Sequence, residues 1–181
     1  MFVLIELLYF ALLPVTTILS HTFMNSLTRH GRIPKGMSKN NYQYFYIYGL
    51  ILSAFLPVRN IYPVHLGRRF IETKIFKYSV RSRMSPLHLI HGLVYYTFIC
   101  IHLRDRAISN KAVFMLLNAL QSVSHYCVFA RKTFAYSHYA AEVMIYTFIY
   151  WEVRTIQMLC NLLYVLSFVF SSVRNRRVCK R

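Results

Sequence analysis

Acidic residues are nearly missing from this chain. Five Asp and Glu stand against 22 Lys and Arg in 181 residues, for a formal net charge of +17, although 56% of the residues are hydrophobic. A soluble domain would need a polar surface to match that much apolar side chain; a membrane protein puts apolar segments in lipid and cations at the lipid surface. Cysteine is sparse too. Cys100, Cys127, Cys160 and Cys179 lie far apart, with no CxxC pair and no Cys/His cluster at zinc spacing, so no metal centre is expected. They read as small apolar residues within helices. Neither GxGxxG nor GxxxxGK[ST] occurs, which excludes a Rossmann or P-loop site as far as motifs go. Any nucleotide has to be held between membrane helices. Internal repeats, low-complexity tracts and the inverted repeats of many transporters are also missing.

What is present is a series of short apolar stretches: Phe2–Ser20, Tyr42–Val58, Ile61–Val80, Pro86–Leu103, Ala112–Ala130, His138–Trp151 and Ile156–Val173. A helix needs about twenty apolar residues to cross ~30 Å of hydrocarbon. Several stretches are shorter, so tilt or local bilayer thinning has to make up the difference. The expected fold is an all-α, multi-pass transmembrane bundle of about seven helices, forming a single membrane domain over residues 1–181. Phe2–Ser20 lacks a basic n-region and a small-residue cleavage site, so it is expected to be a retained first span. The longest polar linker is Asn25–Asn41, broken by Gly31, Pro34 and Gly36.

The cations sit at the ends of the apolar stretches and form no stripe with interleaved aromatics. Membrane lipid headgroups, not nucleic acid, are therefore the expected partner. Arg29, Arg32, Lys35 and Lys39 follow the first stretch, Arg81 and Arg83 the third, Arg131 and Lys132 the fifth, and Arg174 to Arg181 form a basic tail. With seven spans, this bias puts the N-terminus outside and the tail in the cytosol. The loop at Arg104–Lys111 runs against the bias.

Ionisable groups at membrane depth are expensive and are functional candidates by default. The densest set is His65, Arg68, Arg69, Glu72, Lys74 and Lys77 on the third stretch. Helical spacing lets Arg68 (i,i+4) and Arg69 (i,i+3) reach the single carboxylate of Glu72. The set is either an ion pair that neutralises the helix for insertion or the wall of a water-accessible cavity. Two arginines beside it favour the ionised form of Glu72. A second set is Gln121, Ser124 and His125, which either pack or bind. A third is His138, Tyr139 and Glu142, where a helix dipole also suits the carboxylate. Tyr95 and Tyr96 can bond a ligand or pack. Arg81 and Arg83 suit phosphate, from lipid or from a cofactor.

Ile33-Pro34-Lys35 followed by Tyr42-Gln-Tyr-Phe-Tyr-Ile, then His65-Leu-Gly-Arg-Arg-Phe-Ile-Glu72 with Tyr78-Ser79, resembles the polyprenol reductases of the steroid 5α-reductase family and their H-x-x-R-R-x-x-E block. Gly92-Leu-Val-Tyr-Tyr96, Gln121 to His125, and Ser137-His-Tyr-Ala-Ala-Glu-Val-Met-Ile-Tyr146 resemble later blocks, in the family's order, over roughly Gly31 to Tyr146. The resemblance implies a multi-pass enzyme of the endoplasmic reticulum membrane. It would use NADPH to reduce the α-isoprene double bond of polyprenol or its aldehyde, toward dolichol and protein N-glycosylation. Its substrate would be a polyisoprenoid lipid. The implied catalytic set is Glu72, near the substrate's oxygen end, with His65 and Arg69. Arg81 and Arg83 would touch the cofactor's phosphates, and Gln121, His125, Tyr139 and Glu142 would line its cavity.

The chain departs from that family in three places. Only Arg131–Ser137 remains of a longer cytosolic loop that helps to enclose the cofactor. The end lacks the family's histidine-aromatic-tyrosine motif. Leu66 stands where steroid reductases place a substrate-facing tyrosine, which argues against a steroid substrate. Two other readings stay open: an enoyl-CoA reductase of the same superfamily acting on very long chains, and a membrane scaffold that has lost its cofactor.

Overall fold

Apolar runs bounded by caps and breakers become helices, and the computed structural model of the chain contains seven α-helices and one short ribbon. It describes residues 2–23, 36–56, 58, 60–76 and 83–178. The helices are α1 (Phe2–Phe23), α2 (Gln43–Phe55), α3 (Tyr62–Ile75), α4 (Pro86–Leu103), α5 (Lys111–His125), α6 (Ser137–Val153) and α7 (Ile156–Val178). β1 (Met37–Ser38) pairs antiparallel with β2 (Arg83–Met84), Met37 opposite Met84. The expected all-α class holds, and each of the seven apolar stretches overlaps one helix. Most of the Asn25–Asn41 linker, Ile33-Pro34-Lys35, Lys77, Tyr78-Ser79 and the last residues of the basic tail lie outside the described residues.

Local chemistry sets the boundaries. Ser85 caps α4 by accepting from the Leu87 amide at 3.2 Å, and Pro86 occupies the first turn, where no amide is needed. Asn110 caps α5 by accepting from the Val113 amide at 3.1 Å. α6 ends where Arg154 turns left-handed (φ 48°), its amide donating to the Tyr150 carbonyl. α5 passes directly into a π-helical turn, Tyr126–Ala130.

Four helices are long and apolar enough to cross a membrane: α1, α4, α5 continued through its π turn, and α7. Their exposed residues are apolar. Val3, Leu4, Leu8 and Leu12 on α1, Leu116, Leu120 and Val123 on α5, and Leu163, Leu166 and Phe170 on α7 all face outward. That outward face suits lipid and not water. The other three are shorter, at 13 residues for α2, 14 for α3 and 17 for α6.

The chain divides into two compact units, Arg29–Ile108 and Met1–Thr28 with Ser109–Arg181. In the first, α2 packs against both α3 and α4. Close approach is enforced by glycine: a Cβ on Gly92 would lie 2.5 Å from the Phe45 ring, and one on Gly36 would lie 2.7 Å from the Met84 carbonyl oxygen. Tyr48 and Thr97 share a 2.8 Å hydrogen bond between α2 and α4. Thr97 gives its own proton to the Leu93 carbonyl, so Tyr48 is the donor. Asn60 ties the start of α3 to the end of α4. Its amide donates to the carbonyls of Leu103 (2.7 Å) and Arg106 (3.0 Å), and its Oδ1 accepts from the Tyr62 amide (2.8 Å). Asn60→Ala is expected to cost about 2 kcal/mol, since it leaves three backbone groups without this partner. Thermal unfolding in detergent measures the loss.

In the second unit α1 packs on α7, α7 on α6, and α6 on α5, so the first helix joins the last. Glu152 at the end of α6 accepts from the amides of Ser109 (2.6 Å) and Asn110 (3.2 Å), anchoring the entry to α5.

Candidate functional site

The first unit centres its charge on α3. Arg68 donates to Glu72 Oε1 at 2.5 Å and Arg69 to Oε2 at 2.6 Å. Both oxygens of the carboxylate are engaged by guanidinium groups, and Glu72 is 6% exposed. Of the two readings of this set, the ion pair is the one that forms. A carboxylate accepting from two cations is held ionised and has no proton to give. Two guanidinium groups against one carboxylate leave one positive charge on the cluster, in a buried setting where such charge acts strongly on any ligand dipole.

His65 joins the cluster through Arg68, with Nδ1 3.3 Å from Nη2. Arginine can only donate, so Nδ1 accepts and the imidazole carries its proton on Nε2. His65 is buried and stacks on Tyr62 at 5.6 Å. Lys74, on the same helix, turns outward to Gln43. Leu66 is fully buried, its Cδ1 3.1 Å from where a Gly49 Cβ would stand. The position of the steroid enzymes' tyrosine is thus a packing contact between α2 and α3.

Tyr46 is a member that the spacing did not reveal. Arg69 Nη2 donates to its phenol oxygen at 3.0 Å, and the guanidinium sits 5.1 Å from its ring centroid. Its ring meets Tyr96 edge-on at 5.6 Å, and Tyr96 meets Tyr95 edge-on at 5.2 Å. In sequence Tyr46 belongs to an aromatic run that reads as an interfacial belt, 23 residues from Arg69. An aromatic with a polar tip on the helix before an Arg-Arg-Glu set was the available signal.

The ribbon presents Arg83, which is exposed and donates weakly to the Gly36 carbonyl at 3.3 Å. Its remaining donors fit a phosphate group. Arg81 lies outside the described residues.

The second unit gathers a separate polar face on α5. Asn118, Gln121, Ser124 and His125 are buried there. Asn118 bonds the Phe114 carbonyl and Ser124 the Leu120 carbonyl, both within the helix. Next to the π turn, four rings cluster. His125 lies 5.6 Å from Phe129 and 5.7 Å from His138, and His138 lies 4.0 Å from Tyr139. π turns occur often at functional sites. The amide of Gln121 and the imidazole of His125 fit, in kind, the carboxamide of a nicotinamide ring. Glu142 lies beyond the first turn of α6, which has no acidic residue. The helix-dipole role expected for it therefore fades, and it lies within electrostatic reach of Tyr164 on α7.

The short loop after α5 is tightly tied. The Thr133 amide and hydroxyl both donate to the Cys127 carbonyl, at 2.9 and 3.2 Å, and Lys132 and Phe134 take positive φ. Among the described residues no group of His, Cys, Asp and Glu could hold a metal ion. Comparison with protein-family models, curated proteins and solved structures finds no match.

Proposed function

We propose that this chain is an NADPH-dependent reductase of the α-isoprene double bond of a polyprenol or polyprenal, working in the endoplasmic reticulum membrane toward dolichol. The observation that supports the reading most is the buried Arg68–Glu72–Arg69 cluster, with its surplus positive charge. Bound NADPH would supply a hydride. An isolated double bond accepts hydride poorly, whereas one conjugated to a carbonyl passes the charge to oxygen. The aldehyde is therefore the form that suits a cationic cluster, which stabilises charge developing on that oxygen. His65 fixes Arg68, and Glu72 holds both guanidinium groups in place. Arg83 is suited to a cofactor phosphate, and Gln121, His125, Tyr139 and Glu142 to the rest of the cofactor. The polyisoprenoid tail would stay in the bilayer, against the outward apolar faces.

In this reading all seven helices lie in the membrane. α2, α3 and α6 span about 20, 21 and 26 Å at 1.5 Å per residue, so the bilayer has to thin around them. The basic tail then lies in the cytosol.

A scaffold without catalysis is the second reading, favoured by the tied loop at Thr133. Expression in cells lacking their own polyprenol reductase separates the two. The enzyme reading expects the polyprenol-to-dolichol ratio to fall. An unchanged ratio with folded protein supports the scaffold.

A further inference from the structure

We propose that Tyr46 is the proton donor to the substrate's oxygen, an inference that rests on reading the chain as a reductase of a conjugated isoprenoid aldehyde. Three observations carry it. First, the phenol is built into the charged cluster: Arg69 bridges Glu72 Oε2 (2.6 Å) and the Tyr46 oxygen (3.0 Å). Second, Tyr46 is 9% exposed, and its ring is fixed edge-on against Tyr96. Third, arginine only donates, so the Arg69 bond occupies a lone pair of the phenol and leaves its O–H uncommitted. Among the described residues nothing accepts that proton. A buried O–H without an acceptor is costly, and a ligand oxygen would remove the cost.

The neighbouring candidates are unsuited to the task. Glu72 is engaged on both oxygens. The imidazole nitrogen of His65 that faces Arg68 is an acceptor. Leu66 has no polar atom.

The step balances as follows. Hydride from a nicotinamide adds to the β carbon of the enal, and the π electrons move onto the aldehyde oxygen. The O–H bond of Tyr46 breaks as that oxygen takes the proton. The phenolate left behind is offset by Arg69 and regains a proton from water. The enol formed tautomerises to the saturated aldehyde.

Tyr46→Phe keeps the ring and its packing but removes the proton. With farnesal, a short isoprenoid enal, as substrate and NADPH present, turnover is expected to fall about 100-fold, the usual loss for one such donor. KM and melting temperature should move little. A second readout needs no cofactor. The infrared carbonyl band of ¹³C-labelled farnesal should shift to lower frequency on binding the wild-type protein, and Tyr46→Phe should abolish the shift. Tyr48→Phe, which removes only the bond to Thr97, should leave both readouts unchanged. A Tyr46→Phe protein that retains turnover, or the shifted band, overturns the proposal. A wild-type protein that shifts the band through Tyr46 but oxidises no NADPH overturns the reductase reading and leaves Tyr46 as the oxygen's partner. A wild-type protein that neither shifts the band nor turns over sinks both.

Discussion

Glu72→Gln is expected to destabilise the protein by about 3–5 kcal/mol, the usual penalty for removing one partner of a buried ion pair. The amide keeps the shape but removes the charge that both arginines share. Arg68 and Arg69 would then stand 14% and 18% exposed with no carboxylate between them. Arg69 also orients Tyr46, so the damage would spread from α3 to α2. Asp105→Asn provides the contrast. Asp105 pairs with Arg104 at 2.8 Å, but the two side chains are 75% and 47% exposed. Exposed pairs contribute about 0–1 kcal/mol. Unfolding of both variants in the same detergent decides the point. If Glu72→Gln loses no more stability than Asp105→Asn, the buried cluster holds nothing together.

Leu120→Lys or Val123→Lys is expected to impair membrane insertion by about 2.5–3.5 kcal/mol each, the insertion cost of lysine near the centre of a span. Both residues are on the outward face of α5, Leu120 at 43% and Val123 at 60% exposure. On a water-facing helix the same changes would lie within about 0.5 kcal/mol of neutral. The difference in expected size makes this a test of environment and not of packing. Inserted fraction, scored by glycosylation mapping in microsomes, reads it directly. Insertion as efficient as wild type would mean that this face does not meet lipid.

The helix inventory was legible because apolar runs and breakers in this chain coincide: Pro86 opens α4 and Ser137 opens α6. The Arg68–Glu72–Arg69 set was legible for the same reason, since i,i+3 and i,i+4 spacing fixes who meets whom on one helix. Contacts between helices were not. Tyr46 meets Arg69 only because α2 folds back on α3, and nothing in an aromatic run marks which ring will turn inward. The β1–β2 ribbon joins residues 37–38 to 83–84 through two-residue strands too short to carry a period. Glu152 read as a charge paired with its neighbour Arg154. It instead reaches the backbone at Ser109 and Asn110, while Arg154 lies over the Trp151 ring at 4.6 Å. Spacing also left open whether Glu72 meets solvent or cations, because that depends on how deeply α3 packs.

The most direct test uses the purified protein in lipid nanodiscs, with polyprenal and NADPH deuterated on the transferable hydride, and mass spectrometry of the lipid product. Deuterium should appear at the β carbon of the α-isoprene unit, in a saturated aldehyde that leaves the rest of the chain unlabelled. Polyprenal recovered unreduced and unlabelled, from protein that melts cooperatively, would contradict a reductase built on the charged cluster of α3.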